Sequence, residues 1–172
     1  GCGPVGLAVI AGLRLQGVET IVAADYSPRR RGLATHFGAT HVVDPKECRA
    51  IDAWREAAGA RTALIFECVG VPGLIDSIMR DAPHQARIVV AGVCMERDSF
   101  RPMLGINKEL SLQFVLGYTP EDYARTLRAL SEGAIDVAPM ITGRCGIDGV
   151  ADAFATLGSP DAHAKILVEP WR

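Results

Sequence analysis

Short apolar runs alternate with helix-forming segments along most of this chain, and that alternation leaves few folds open. The runs are "ETIVAAD", "THVVD", "TALIFECVG", "ARIVVAGV" and "ELSLQFVLG". Each is a nearly continuous apolar stretch, not an apolar–polar alternation, so each reads as a strand covered on both faces. Between them lie segments with helical spacing and clear end signals. Residues 4–16 have Pro4 in the first turn and Gly17 as the stop. "SPRRRGLATHF" is capped by Ser27 and closed by Gly38, and residues 46–58 are closed by Gly59. "PGLIDSIMRDA" begins at Pro72, and residues 120–132 are capped by Thr119, opened by Pro120 and stopped by Gly133. Such signals follow from the unpaired N–H and C=O groups at helix ends. Strand–helix repetition predicts an α/β fold, a doubly wound parallel sheet with helices on both faces. Past about residue 137 the rhythm changes to a short strand, a helix over 148–157 started by Asp148, and a last strand "AKILVEP". This short α+β tail, 137–172, is read as a second part that need not join the sheet of residues 1–136.

The first residues, "GCGPVG", form a G-x-G-x-x-G pattern at Gly1, Gly3 and Gly6. Alone it is a weak signal. Here a helix follows, then a strand, and that strand ends in Asp25, nineteen residues beyond Gly6. This is the dinucleotide-binding fingerprint. Gly1 permits the turn, Gly3 admits a pyrophosphate against the backbone, and Gly6 lets helix and sheet approach closely. The helix N-terminus offers free N–H groups to the phosphates, and Asp25 accepts from both hydroxyls of the adenosine ribose. A carboxylate there repels a 2′-phosphate, which favours NAD over NADP. "RRR" at 29–31 is the opposing signal; Arg29 and Arg31 are read as a solvated helix face, with Arg30 left to lean over the adenosine. A strand feeding the loop would be the central one of a Rossmann sheet. The expectation is therefore that this first strand is missing and the chain is a cut piece of a longer protein.

Composition narrows the function. Eighteen Lys and Arg against 20 Asp and Glu leave a net charge of −2, which supports neither nucleic acid nor an anionic membrane as partner. No apolar run approaches the length that spans a bilayer. Five widely spaced cysteines (2, 48, 68, 94, 145) lack any C-x-x-C. They read as free thiols in a reducing compartment, the cytoplasm. The four histidines are equally scattered, so no metal site is assigned within the chain.

The series "GCGPVGLAVIAGLRLQGVETIVAADYSPRRRGLATHFGATHVVDP", "FECVG", "VVAGV", "KELSLQFVLGYTPEDYARTLRALSEGAID" and "ITGRCGIDGVADAFATL…AKILVEP" resembles the medium-chain, zinc-containing alcohol dehydrogenase family, in its polyol, threonine and butanediol branch. The resemblance covers essentially the whole chain. It implies hydride transfer between a small alcohol and NAD. It also implies a cofactor site at Gly1, Gly3, Pro4, Val5 and Gly6 (pyrophosphate) and at Asp25 and Arg30 (adenosine ribose). Cys68 and Val69 would line the cleft, and Ala91, Gly92 and Val93 would meet the nicotinamide ribose and ring. Val115 and Leu116 would meet the carboxamide. Cys68 is read chemically as a small buried apolar side chain. The family's zinc ligands and proton relay match nothing in this chain, so no catalytic and no metal residue is assigned. Zinc is expected only in the full-length enzyme, and the chain is expected to be inactive without an N-terminal catalytic domain. Its tail would then leave an apolar face exposed.

Two other readings compete. A stand-alone nucleotide-binding or redox-sensing module would need a first strand of its own. An NADPH-dependent quinone reductase of the same superfamily would usually lack the acid at Asp25. Family resemblance also implies a homodimer through the edge strand 109–116, whose apolar run can pair edge to edge.

Overall fold

The computed structural model describes residues 1–59, 61–159 and 161–171. In chain order the elements are α1 (Pro4–Leu15), β1 (Val22–Ala24), α2 (Pro28–His36), β2 (His41–Val43), α3 (Ala50–Ala58), β3 (Leu64–Glu67) and α4 (Leu74–Asp81). There follow β4 (Arg87–Val90), α5 (Pro102–Lys108), β5 (Ser111–Phe114), α6 (Pro120–Ser131), β6 (Ile141–Cys145), α7 (Val150–Leu157) and β7 (Lys165–Val168). Every strand pair is parallel, as helical crossovers between successive strands require.

Among the described residues the strands form three separate ladders. β1 pairs with β2, placing Ala23 opposite Val42. β4 lies between β3 and β5, with Phe66, Val89 and Gln113 in one row. β6 pairs with β7, with a register shift between Ile141 and Gly143. The order β2–β1, then β3–β4–β5, is that of a doubly wound sheet, interrupted between β1 and β3. Gly1 and Cys2 lie at the C-terminal end of that interruption. The Cys2 N–H donates to Asp25 just past β1, at 2.8 Å, and Gly1 packs against Cys68 and Val69 just past β3.

Two apolar cores flank the interruption. The first joins Leu7, Ile10 and Ala11 of α1 to Ile21, Ala23, Ala34 and Phe37, and Met140 from beyond α6 closes it. The second packs Ile75 and Met79 of α4 under Ile88 and Val90 of β4. Burial of such side chains contributes roughly 1.5–3 kcal/mol each. α1 and α4 therefore hold their ladders through packing more than through helix propensity.

Several elements differ from their sequence reading. The helix expected over 46–58 starts only at Ala50. Asp44 captures the preceding backbone instead, its carboxylate accepting from Lys46 N and its carbonyl from Glu47 N and Cys48 N. That is a side-chain-stabilised turn competing with helix. The helix expected over 148–157 begins at Val150, because Ile147–Gly149 winds as a 3₁₀ turn. α5 lies between "ARIVVAGV" and "ELSLQFVLG", where the sequence reading placed no element. It is short and contains Gly105 and Asn107, so propensity does not announce it. Contacts with α4 hold both its ends. Arg101 grips Asp76 through Nε at 3.0 Å and Nη2 at 2.8 Å. Lys108 Nζ donates to the carbonyls of Met79, Arg80 and Ala82. The runs read as strands covered on both faces also include two exposed edges, since β2 and β5 leave Val42 and Phe114 open to solvent. In the tail, Phe154 of α7 is exposed.

Candidate functional site

α1 starts with no side-chain cap: Gly3 occupies the N-cap position and Pro4 the first turn. The N–H groups of the next residues have no partner within the helix, so the turn "GCGPVG" presents bare donors and the positive end of the helix dipole. Its geometry admits only glycine where it is tightest. A Cβ on Gly6 would stand 1.9 Å from the Gly1 carbonyl oxygen. At Gly3 the space is open, and the first atom a Cβ would approach is Arg30 Nη1, at 3.9 Å.

Asp25 is fixed from two sides. Oδ2 accepts from Cys2 N at 2.8 Å and Oδ1 from Ser27 N at 2.9 Å. A carboxylate has about four acceptor positions, so Asp25 keeps acceptor capacity while its orientation is set by backbone. Cys2 beneath it is 1 % exposed. Burial pushes its thiol up to about 11, and the Asp25 carboxylate adds to the rise. Burial raises the Cys68 thiol as well, which leaves both as inert apolar fillers near neutral pH.

The arginine run departs from its reading at Arg31, whereas Arg29 is exposed as read. Arg31 is only partly exposed. Its Nη1 donates to the carbonyls of Asp25 and Tyr26 and to the Asp44 carboxylate at 3.0 Å. Arg29 donates to the carbonyls of Asp161 and Ala162 in the tail. Both are committed because α2 starts between the end of β1 and the loop before β7, where backbone carbonyls face them. Arg30 alone keeps a guanidinium without such a tie, and its buried Nε has no hydrogen-bond partner.

At β3 and β4 the strand ends interlock. Glu67, 3 % exposed, folds its Oε1 back onto Val69 N at 2.5 Å and Gly70 N at 2.9 Å. Its carbonyl accepts from Ala91 N and Gly92 N. Gly70 has φ of +74°, and a Cβ there would meet the Val93 backbone at 2.6 Å. A Cβ on Gly92 would stand 2.4 Å from Gly70 N. Residues 67–70 and 91–93 thus form one rigid platform. Sequence reading missed the role of Glu67; the signal was a lone acid inside the apolar run "LIFECVG".

Of the residues singled out, Gly1, Cys68 and Val69 meet directly, Ala91, Gly92 and Val93 join them through Glu67 and Gly70, and Asp25 and Arg30 converge on the glycine turn. Val115 is tied to this edge through its N–H on Val90 O, at 3.1 Å. Leu116, two residues past the end of β5, is 91 % exposed. Val5, Val69, Val93 and Val115 add a partly exposed apolar lip. Two concavities, of about 280 and 380 Å³, involve none of these residues. Among the described residues no three His, Cys, Asp or Glu side chains lie where they could together hold a metal ion.

A parallel doubly wound unit with its glycine turn, acid and strand-end platform gathered at one edge is a Rossmann-type domain. Residues 4–132 match the family model of zinc-binding dehydrogenases, and the chain belongs to that family. It is 27 % identical over 174 residues to the (R,R)-butanediol dehydrogenase of Neisseria gonorrhoeae, covering 99 % of this chain and 49 % of that protein. It is 29 % identical to the L-arabinitol 4-dehydrogenase of Aureobasidium melanogenum, covering 99 % of this chain and 48 % of the relative. Among solved structures, the 2R,3R-butanediol dehydrogenase of Bacillus subtilis superposes with a TM-score of 0.84 at 27 % identity, over 99 % of this chain and 49 % of that one. A zinc-binding dehydrogenase from Sinorhizobium meliloti bound to NADP gives 0.80 at 27 %, over 98 % of this chain and 50 % of that one. The chain spans about half the length of the curated relatives it matches. No described helix is long and apolar enough to cross a membrane.

Proposed function

We propose that this chain is the dinucleotide-binding part of a zinc-dependent alcohol or polyol dehydrogenase and that it takes NAD in preference to NADP. The observation that carries the reading is the convergence of Asp25 and Arg30 on the glycine turn. Asp25 is fixed by two backbone N–H groups with acceptor capacity to spare, and the buried Arg30 Nε lacks a partner. In this reading the bare start of α1 and Gly3 take the pyrophosphate, with Pro4, Val5 and Gly6 completing the turn. Asp25 takes the ribose hydroxyls and Arg30 covers the adenosine end. The platform of Cys68, Val69, Ala91, Gly92 and Val93 orients the nicotinamide and shields it from water, while Val115 and Leu116 offer backbone groups to its carboxamide. NAD, when bound, accepts a hydride from the alcohol carbon; the residues of this chain bind and orient.

A relative of the same family holds NADP, so family membership leaves the preference open. What favours NAD is local: the Asp25 carboxylate, together with the commitment of Arg29 and Arg31 to protein carbonyls and Asp44. Calorimetric titration of the chain with NAD and NADP tests this. Tighter binding of NAD is expected; tighter binding of NADP would sink the preference. No alcohol turnover is expected from the chain by itself, and turnover free of host enzymes would overturn that part of the reading. The widely spaced free thiols support a reducing compartment such as the cytoplasm. The exposed edge β5, with Phe114 and Leu116 open, supports a homodimer through residues 109–116; a clean monomer on gel filtration would remove it.

A further inference from the structure

Ser27 is the meeting point of two carboxylates from distant parts of the chain. It is 4 % exposed and caps α2, its Oγ accepting from Arg30 N at 3.2 Å. Its own N–H donates to Asp25 Oδ1 at 2.9 Å, and its hydroxyl donates to Asp161 Oδ1. Asp161 belongs to the loop between α7 and β7, 134 residues along the chain from Ser27. Arg29 clamps that loop by donating to the carbonyls of Asp161 and Ala162, at 3.1 and 2.9 Å. The tail thereby brings a second carboxylate onto Ser27, the residue whose N–H already holds Asp25.

We propose that Asp161 is a second specificity-determining residue of the cofactor site, acting with Asp25 to reject a dinucleotide phosphorylated on its adenosine 2′-oxygen. The inference rests on the NAD reading above. A 2′-phosphate carries close to two negative charges and would sit beside the Asp25 carboxylate. The start of a helix is where such an anion would ordinarily gain backbone donors and a favourable dipole. Here that end is flanked by two fixed carboxylates, and Arg29, the first basic side chain of the run, is spent on holding one of them in place. Arg30 remains as the lone guanidinium whose Nε has no hydrogen-bond partner. An unphosphorylated ribose suffers no such repulsion. Rejection by like charge is a common source of specificity without a matching gain in affinity.

The test compares NAD and NADP dissociation constants for the chain and for Asp161→Asn, which keeps an oxygen acceptor for Ser27 and removes the charge. NAD affinity is expected to stay within about twofold while NADP binding tightens about three- to tenfold, by an amount that shrinks as salt is raised. Asp25→Gly serves as the reference. If it relaxes discrimination and Asp161→Asn leaves the NAD-to-NADP ratio unchanged, the role of Asp161 is overturned and the NAD reading stands. Equal weakening of both cofactors by Asp161→Asn assigns it to loop anchoring alone and also overturns the proposal. If the unaltered chain binds NADP as well as NAD, or neither, the NAD reading itself fails and Asp161 falls with it.

Discussion

Asp25 reaches back over the interruption in the sheet to hold the N–H of Cys2, 2.8 Å from its Oδ2 and 23 residues earlier in the chain. The same carboxylate holds Ser27 N through Oδ1. One side chain therefore sets the glycine turn relative to the start of α2, independently of any ligand. Asp25→Asn leaves one carbonyl oxygen to serve two donors, and Asp25→Gly leaves none. Chemical denaturation is expected to rank the chain above Asp25→Asn and that above Asp25→Gly, with about 1–3 kcal/mol between the extremes. Equal midpoints for all three would show that the two hydrogen bonds contribute nothing to the fold.

Gly6 offers a sharper contrast, because propensity and packing point in opposite directions. In a helix interior Ala is favoured over Gly by about 1 kcal/mol. At Gly6 the added methyl would stand 1.9 Å from the Gly1 oxygen and 3.7 Å from Cys68 Cβ. Backbone must move to admit it, and such overpacking costs about 1–3 kcal/mol. Gly6→Ala is expected to destabilise the chain on balance and to weaken dinucleotide binding. Gly12→Ala, in the same helix with nothing within 4 Å of the added methyl, is expected to be neutral or stabilising. A urea series on the two variants checks the contrast; destabilisation by both would mean that the clash at Gly6 is not what matters.

Much of the fold was legible in the sequence because its signals are local. Pro4 and Gly3 open α1, Ser27 caps α2, and Thr119 with Asp122 forms a reciprocal capping box that opens α6. The spacing of Gly1, Gly3, Gly6 and Asp25 placed the glycine turn and the acid together, as the structure has them. What escaped was non-local. α5 depends on Asp76 and on the carbonyl end of α4, both supplied by another element. Glu67 acquires its role only once β3 and β4 lie side by side. Arg31 looks solvated until the end of β1 is brought against it, and Arg29, exposed as read, also finds the carbonyls of the loop holding Asp161. Periodicity and end signals describe what a segment does by itself; they do not say which distant carbonyl a charged side chain will find.

Glu67 illustrates how costly such a non-local role is to remove. Its carboxylate serves Val69 N and Gly70 N, and the backbone carrying it serves Ala91 N and Gly92 N. Glu67→Leu would leave the first two donors without their acceptor beneath a platform that is closely packed around Gly70 and Gly92. A loss of about 1–3 kcal/mol is expected. Glu67→Gln, which keeps one acceptor oxygen on Oε1's side, is expected to lose less than half as much. Hydrogen exchange supplies the local reading: Val69 and Gly70 amides should exchange faster in Glu67→Leu while those of α6 do not change. Unchanged exchange at Val69 and Gly70 would remove Glu67 as organiser of the platform.

Cys2 ties the same turn to pH. Its thiol is raised by burial from 9.0 to about 11. Below pH 9 the thiol is protonated in both folded and unfolded chains and the difference has no effect. Between pH 9 and 11 the unfolded chain gives up this proton and the folded chain keeps it, so the unfolded state gains and stability falls with rising pH. Above pH 11 both forms ionise and the loss stops growing. Each unit of difference corresponds to about 1.4 kcal/mol, so the full effect approaches roughly 2–3 kcal/mol. The effect of this one thiol is isolated by comparison with Cys2→Ala. The difference in stability between the chain and Cys2→Ala is expected to be constant up to pH 9 and to shrink by about that amount by pH 11. Alkylation gives an independent check at pH 8, where exposed Cys48 should react well before Cys2. Parallel pH profiles for the two proteins, or equal alkylation rates at the two thiols, would show that Cys2 is neither buried nor shifted in solution.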